Sequence, residues 1–118
     1  DIFDPSTGKK IAGLLTADGT SFGDSCEELW KMGRRENLFT GNTTIGAVFT
    51  NGKFNKAQMN KIASMTRNAY ARCINPVGTM ADGDSIYAAS AGDVEADLNV
   101  AGTLAAYVME RAIVAAIR

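Results

Sequence analysis

Three side chains of this chain are placed to do covalent chemistry. Thr43 heads the apolar run Thr44-Ile45-Gly46-Ala47-Val48-Phe49-Thr50, and Asp82 and Asp84 flank Gly83. Asn42 lies just before Thr43, at the end of a polar stretch. The Asn42–Thr43 step has two readings. In one, Asn42 closes a turn and Thr43 opens a strand, because β-branched residues suit a pleated surface. In the other, the chain cuts itself there. Thr43 Oγ1 attacks the Asn42 carbonyl carbon, the acyl group moves from nitrogen to oxygen, and water hydrolyses the ester. Thr43 then carries a hydroxyl nucleophile beside a free α-amine, whose ordinary pKa of about 7.7–8.0 lets it take the hydroxyl proton near neutrality. Asn42-Thr43-Thr44 is also a formal glycosylation sequon. The step Asp82-Gly83-Asp84 is either an exposed acidic turn or a carboxylate pair that orients a hydroxyl and stabilises a protonated amine. No third ligand stands at a metal-binding spacing, so no metal and no cofactor is expected.

Composition narrows the chemistry. The 118 residues include no histidine, which excludes a Ser-His-Asp triad, a Cys-His pair and imidazole ligation within the chain. A proton acceptor must be a carboxylate, a lysine, a tyrosine or an amino terminus. Twelve basic and thirteen acidic residues leave a net charge of −1, too little positive field for a nucleic-acid partner. The content, 46% hydrophobic and 21% charged, is that of a globular protein. Cys26 and Cys73 are too far apart in sequence for a Cys-x-x-Cys site, and both are expected as small core residues in a reducing, cytoplasmic setting. Neither a basic leader nor an uninterrupted apolar run of membrane length is seen, so no membrane association is expected. The start at Asp1 suggests a processed chain or part of a longer one.

The elements that must position these residues are unevenly marked. Asp4-Pro5-Ser6-Thr7-Gly8 has turn chemistry, Ile11–Leu15 reads as a short strand, and Glu27–Met32 as one or two helical turns with Trp30 as an apolar anchor. Lys9-Lys10 and Arg34-Arg35 read as solvated charges, and Arg34–Asn42 as an exposed connection. From Thr44 to Thr50 a buried strand is predicted, closed by the Asn51-Gly52 turn signal. Asn55 caps a helix whose stripe is Met59, Ile62, Ala63, Thr66, Ala69, Tyr70 and Cys73, ended by Pro76. Ser85–Ser90 is the second strand. A last helix from about Glu95 to Ile117 is apolar nearly all round, so burial on most sides is expected, with Asn99 and Tyr107 as buried hydrogen-bonding groups. The compact part is α/β, in the order strand-helix-strand-helix, with both helices on one face. Two strands alone make a marginal sheet, so a further surface is needed, from other sequence or a second chain. A small complete α+β domain that dimerises is the plainer alternative.

Together these segments resemble the self-cleaving N-terminal-nucleophile amidohydrolases: L-aminopeptidase/D-esterases, β-aminopeptidases and nylon-oligomer hydrolases. The resemblance runs through Asn42–Asn51, Asn55-Lys56-Ala57-Gln58, Arg72–Val77, Asp82–Ala88 and Asp97–Gly102, and extends back to Asp1–Lys9. It implies that Thr43 is the nucleophile, Asn42 the residue before the scissile bond, and Asp82 and Asp84 the acidic pair. These lie 39 and 41 residues after Thr43, as in the threonine branch that hydrolyses nylon oligomers. It also implies a four-layer α/β/β/α sandwich and a division at the cleavage site. Residues 1–42 would be the incomplete N-terminal part, and 43–118 the nucleophile-bearing subunit. The oxyanion-donating Asn of the family would lie upstream of Asp1, so the rest of a precursor or another chain must complete the site. The expected substrate is a small peptide or amide, and the expected assembly a homo-oligomer. Two alternatives are a non-catalytic assembly fragment and an acyltransferase of the same fold, as in the ornithine acetyltransferases.

Overall fold

The computed structural model of the chain describes residues 1–33 and 43–118, so Arg34, Arg35 and Asn42 lie outside the described residues. The unit that carries Thr43 and the acidic pair is β3 (Ile45–Gly52), α2 (Lys56–Thr66), α3 (Asn68–Cys73), β4 (Ser85–Val94) and α4 (Leu98–Ile117). Before it come β1 (Ile2–Asp4), β2 (Lys9–Ala12) and α1 (Ser25–Met32). Strands β3 and β4 pair in parallel, from Ile45↔Ser85 to Gly52↔Val94. A parallel pair needs a crossover between its strands, and α2 and α3 supply it.

The pleat sorts β3 by parity. Val48 packs on Met59, Ile62 and Ala105 and again on Tyr70 and Met109, so α2, α3 and α4 cover one face of the sheet. Ile86 and Ala88 of β4 join that core. The alternate residues point the other way: Ile45 is 69% exposed, Phe49 78% and Tyr87 66%. The run predicted as a buried strand is thus covered on one face only. Helix α2 begins at a capping box, in which Asn55 and Gln58 satisfy each other's backbone N–H groups. The single predicted helix over 55–74 is split at Arg67. There the Thr66 hydroxyl donates back to the Ile62 carbonyl (2.7 Å), the kind of back-bond that bends helices.

Three expectations fail for reasons of packing. Asn51-Gly52 is not a turn but continues β3. Its partner β4 runs on to Val94, and Gly92, lacking a side chain, accommodates the Asn51 carbonyl. A hairpin signal has no force where the neighbouring strand is parallel and arrives by a crossover. Helix α4 starts at Leu98 behind the cap Asp97, and only the stripe Gly102, Ala105, Ala106 and Met109 is buried. Leu104 and Val108 stay more than half exposed, as does Tyr107, and Asn99 is exposed too. Over an 18-residue stretch α4 reaches a mean hydropathy of 1.5, enough by length and composition to cross a membrane, although no uninterrupted apolar run exists.

The N-terminal segment forms a small antiparallel pair, β1 with β2, turned by Asp4–Gly8 as the turn chemistry predicts. The predicted strand over Ile11–Leu15 is displaced to Lys9–Ala12, and Trp30 is an exposed side chain, not an anchor. Lys10 is no solvated charge. Its ammonium pairs with the buried Asp1 carboxylate (2.7 Å), which also accepts from the Ser25 N–H and hydroxyl and the Leu14 N–H. The Asn75 N–H donates to the Asp1 carbonyl, joining this segment to the chain just after α3. Cys73 is buried as predicted, whereas Cys26 is half-buried and meets the Asn75 side-chain oxygen (3.3 Å).

Candidate active site

Thr43 and the Asp82-Gly83-Asp84 loop meet at the leading ends of the two parallel strands. Two residues back from the Ile45↔Ser85 pair stand Thr43 and Gly83. The approach is close: a Cβ built on Gly83 would lie 3.1 Å from Thr43 Oγ1. Any side chain here would have to push Thr43 Oγ1 or the loop aside by a few tenths of an ångström. Parity also explains the placing of Asp84. Its neighbour two residues on, Ile86, faces the helices, and Asp84 lines a polar recess on that side with Arg67 and Tyr70.

The carboxylates do not hold the threonine hydroxyl as expected. Asp84 Oδ1 accepts from the Thr44 N–H (2.9 Å), and its Oδ2 accepts from the Gly78 N–H (3.1 Å). Asp82 Oδ2 accepts from the Thr79 N–H (3.0 Å) and from the Thr79 hydroxyl (2.6 Å). Each acid thus closes the 78–84 loop, and Asp84 alone spans to the strand that Thr43 heads. The Ser85 N–H answers by donating to the Thr44 carbonyl (3.0 Å), so Thr44 is held by both its N–H and its carbonyl. Thr43 itself is exposed, two residues before Ile45, which stands on the uncovered face of the sheet. Among the described residues no three His, Cys, Asp or Glu side chains converge as a metal-binding group.

Sequence reasoning missed two groups beside this pair. Gly78 and Thr79 supply the loop's donors. Tyr70, predicted only as part of an apolar stripe, donates its hydroxyl to the Ser85 carbonyl (3.1 Å). A signal for the second was present: a lone glycine inside a strand, here Gly46, marks a close approach. Tyr70 and Met109 are what approach it.

A family model described as Peptidase family S58 matches residues 7–118, nearly the whole chain and both halves of this site. The chain belongs to that family. Among its relatives, an uncharacterized aminopeptidase of Mycobacterium leprae (strain TN) is 40% identical over 55 residues, covering 47% of this chain and 15% of the relative. A 6-aminohexanoate-oligomer endohydrolase of Kocuria sp. (strain KY2) is 33% identical over 55 residues, 47% of this chain and 16% of that protein. The same figures hold for the enzyme of that name from Paenarthrobacter ureafaciens. The chain therefore matches only about a sixth of the length of these relatives.

Proposed function

We propose that this chain is the nucleophile-bearing part of an amide- or peptide-bond hydrolase that matures by cutting itself between Asn42 and Thr43. The observation that carries the reading is the seat of Thr43 Oγ1 against Gly83, in a loop closed by two carboxylates. Membership of a peptidase family supports it, as do relatives named as an aminopeptidase and as oligomer endohydrolases.

In maturation, Thr43 Oγ1 attacks the Asn42 carbonyl carbon, the peptide C–N bond breaks as the ester forms, and water releases the new carboxylate. Freed, the Thr43 α-amine accepts the hydroxyl proton as the oxygen attacks a substrate amide, then returns it to the leaving amine. Water hydrolyses the acyl ester and regenerates the hydroxyl. Asp84 acts on this chemistry through the Thr44 N–H, fixing the strand start from which Thr43 projects. Donors for the developing oxyanion come from sequence outside these 118 residues. The open sheet face and the exposed apolar side chains of α4 support a need for further sequence or a homo-oligomeric partner.

Trapping the acyl intermediate tests the reading. Full-length protein mixed with an amide or ester substrate, quenched in acid and weighed, should show one acyl group on the fragment that begins at Thr43. An acyl group on another residue, or steady turnover in a Thr43→Ala variant, would contradict it.

A further inference from the structure

Tyr70 is nearly fully buried, at 1% exposure, among Ala69, Met109 and the apolar residues packed on them. A hydroxyl in such a place is costly unless it is partnered, and this one is aimed. It donates to the Ser85 carbonyl (3.1 Å), on the residue after Asp84. A Cβ built on Gly46, three residues after Thr43, would come within 2.7 Å of the same oxygen. One atom on α3 therefore bonds the leading end of β4 and lies against the bare backbone of β3 at Gly46. Burial, and then the charge of Asp84, raise the phenol pKa, so the group stays a neutral donor at physiological pH.

We propose that Tyr70 is a positioning residue of the Thr43 site: its hydroxyl locks the start of β4 to the start of β3 and so fixes the spacing of Thr43 from the Gly83 loop. This rests on the reading of Thr43 as nucleophile. Ser85 is then held from two sides, its N–H by the Thr44 carbonyl and its carbonyl by Tyr70. Loss of the hydroxyl frees the pair of strand ends to shift, and small displacements of a nucleophile are felt in the rate.

The test uses full-length protein. Tyr70→Phe keeps the ring and removes one oxygen. Self-cleavage at Asn42–Thr43 and kcat should each fall about tenfold, the worth of one well-placed hydrogen bond, with KM and thermal midpoint little changed. Gly46→Ala should be damaging beside Tyr70 and milder in the Tyr70→Phe background, because the oxygen it strikes is gone and the other atom it meets, Met109 Cε at 2.9 Å, is the movable end of a flexible side chain. Unchanged cleavage and kcat in Tyr70→Phe, or a loss no larger than the loss of folded protein, overturns the positioning role. So does a Gly46→Ala effect that ignores residue 70. A Thr43→Ala control separates the two claims. If it still cuts, the nucleophile reading falls and this role with it. If it is inert while Tyr70→Phe is unaffected, only the role of Tyr70 falls.

Discussion

At the scale of single residues, distances decide which groups can meet. Thr43 Oγ1 sits where a Cβ on Gly83 would press on it, at 3.1 Å. In Gly83→Ala either the hydroxyl or the loop must give way. Since Gly83 is exposed, the cost falls on geometry more than on folding. Self-cleavage in the full-length protein should slow by about tenfold to a hundredfold, the usual penalty for displacing a nucleophile by a fraction of an ångström to one ångström. The thermal midpoint should move little. A normal rate with Gly83→Ala would show that the hydroxyl does not work from this position. The sequence made Thr43, Asp82 and Asp84 visible because hydroxyl and carboxyl groups at element boundaries stand out. It could not show that Asp84 reaches past Thr43 to the Thr44 N–H, since that follows from strand register and side-chain parity. Nor could it show the Lys10–Asp1 pair, which exists only because β1 and β2 fold back on one another.

Elements were legible where local chemistry and packing agree. Asn55 announces the start of α2, and the spacing of Met59, Ile62 and Thr66 gives its buried stripe. Legibility failed where the partner decides. The end of β3 was hidden by Asn51-Gly52, a turn signal overridden by the parallel neighbour β4. That override depends on Gly92. A Cβ there would lie 2.1 Å from the Asn51 carbonyl oxygen and 2.7 Å from its carbon and Cα, and backbone cannot yield as a flexible side chain can. Gly92→Ala should therefore cost about 2 kcal/mol or more of unfolding free energy, by analogy with overpacked cores, and detach the Gly52↔Val94 pair. Denaturant unfolding of the full-length variant would measure the loss. Stability within about 0.5 kcal/mol of the parent, the range of ordinary surface substitutions, would refute that packing argument.

On the scale of the whole molecule, the β3–β4 sheet is covered on one side only. Helices cover one face of the β3–β4 sheet, and Ile45, Phe49 and Tyr87 stand open on the other. A two-stranded sheet with an apolar open face is marginal by itself, and that much was readable from two strands set against two apolar helices. The misjudged burial of α4 has the same origin. Composition shows that a surface is apolar but not whether its cover lies within the same 118 residues. Thr43 stands two residues before Ile45, at the edge of that open face, so whatever covers the face would also border the proposed site. The central claim, that Thr43 is the residue freed by the protein's own chemistry, can be read from one mass spectrum. Full-length protein, purified and denatured, should give two masses that part between Asn42 and Thr43, and Thr43→Ala prepared in the same way should give one uncut mass. A single mass for the parent after prolonged incubation, or the same two masses from Thr43→Ala, would contradict the account.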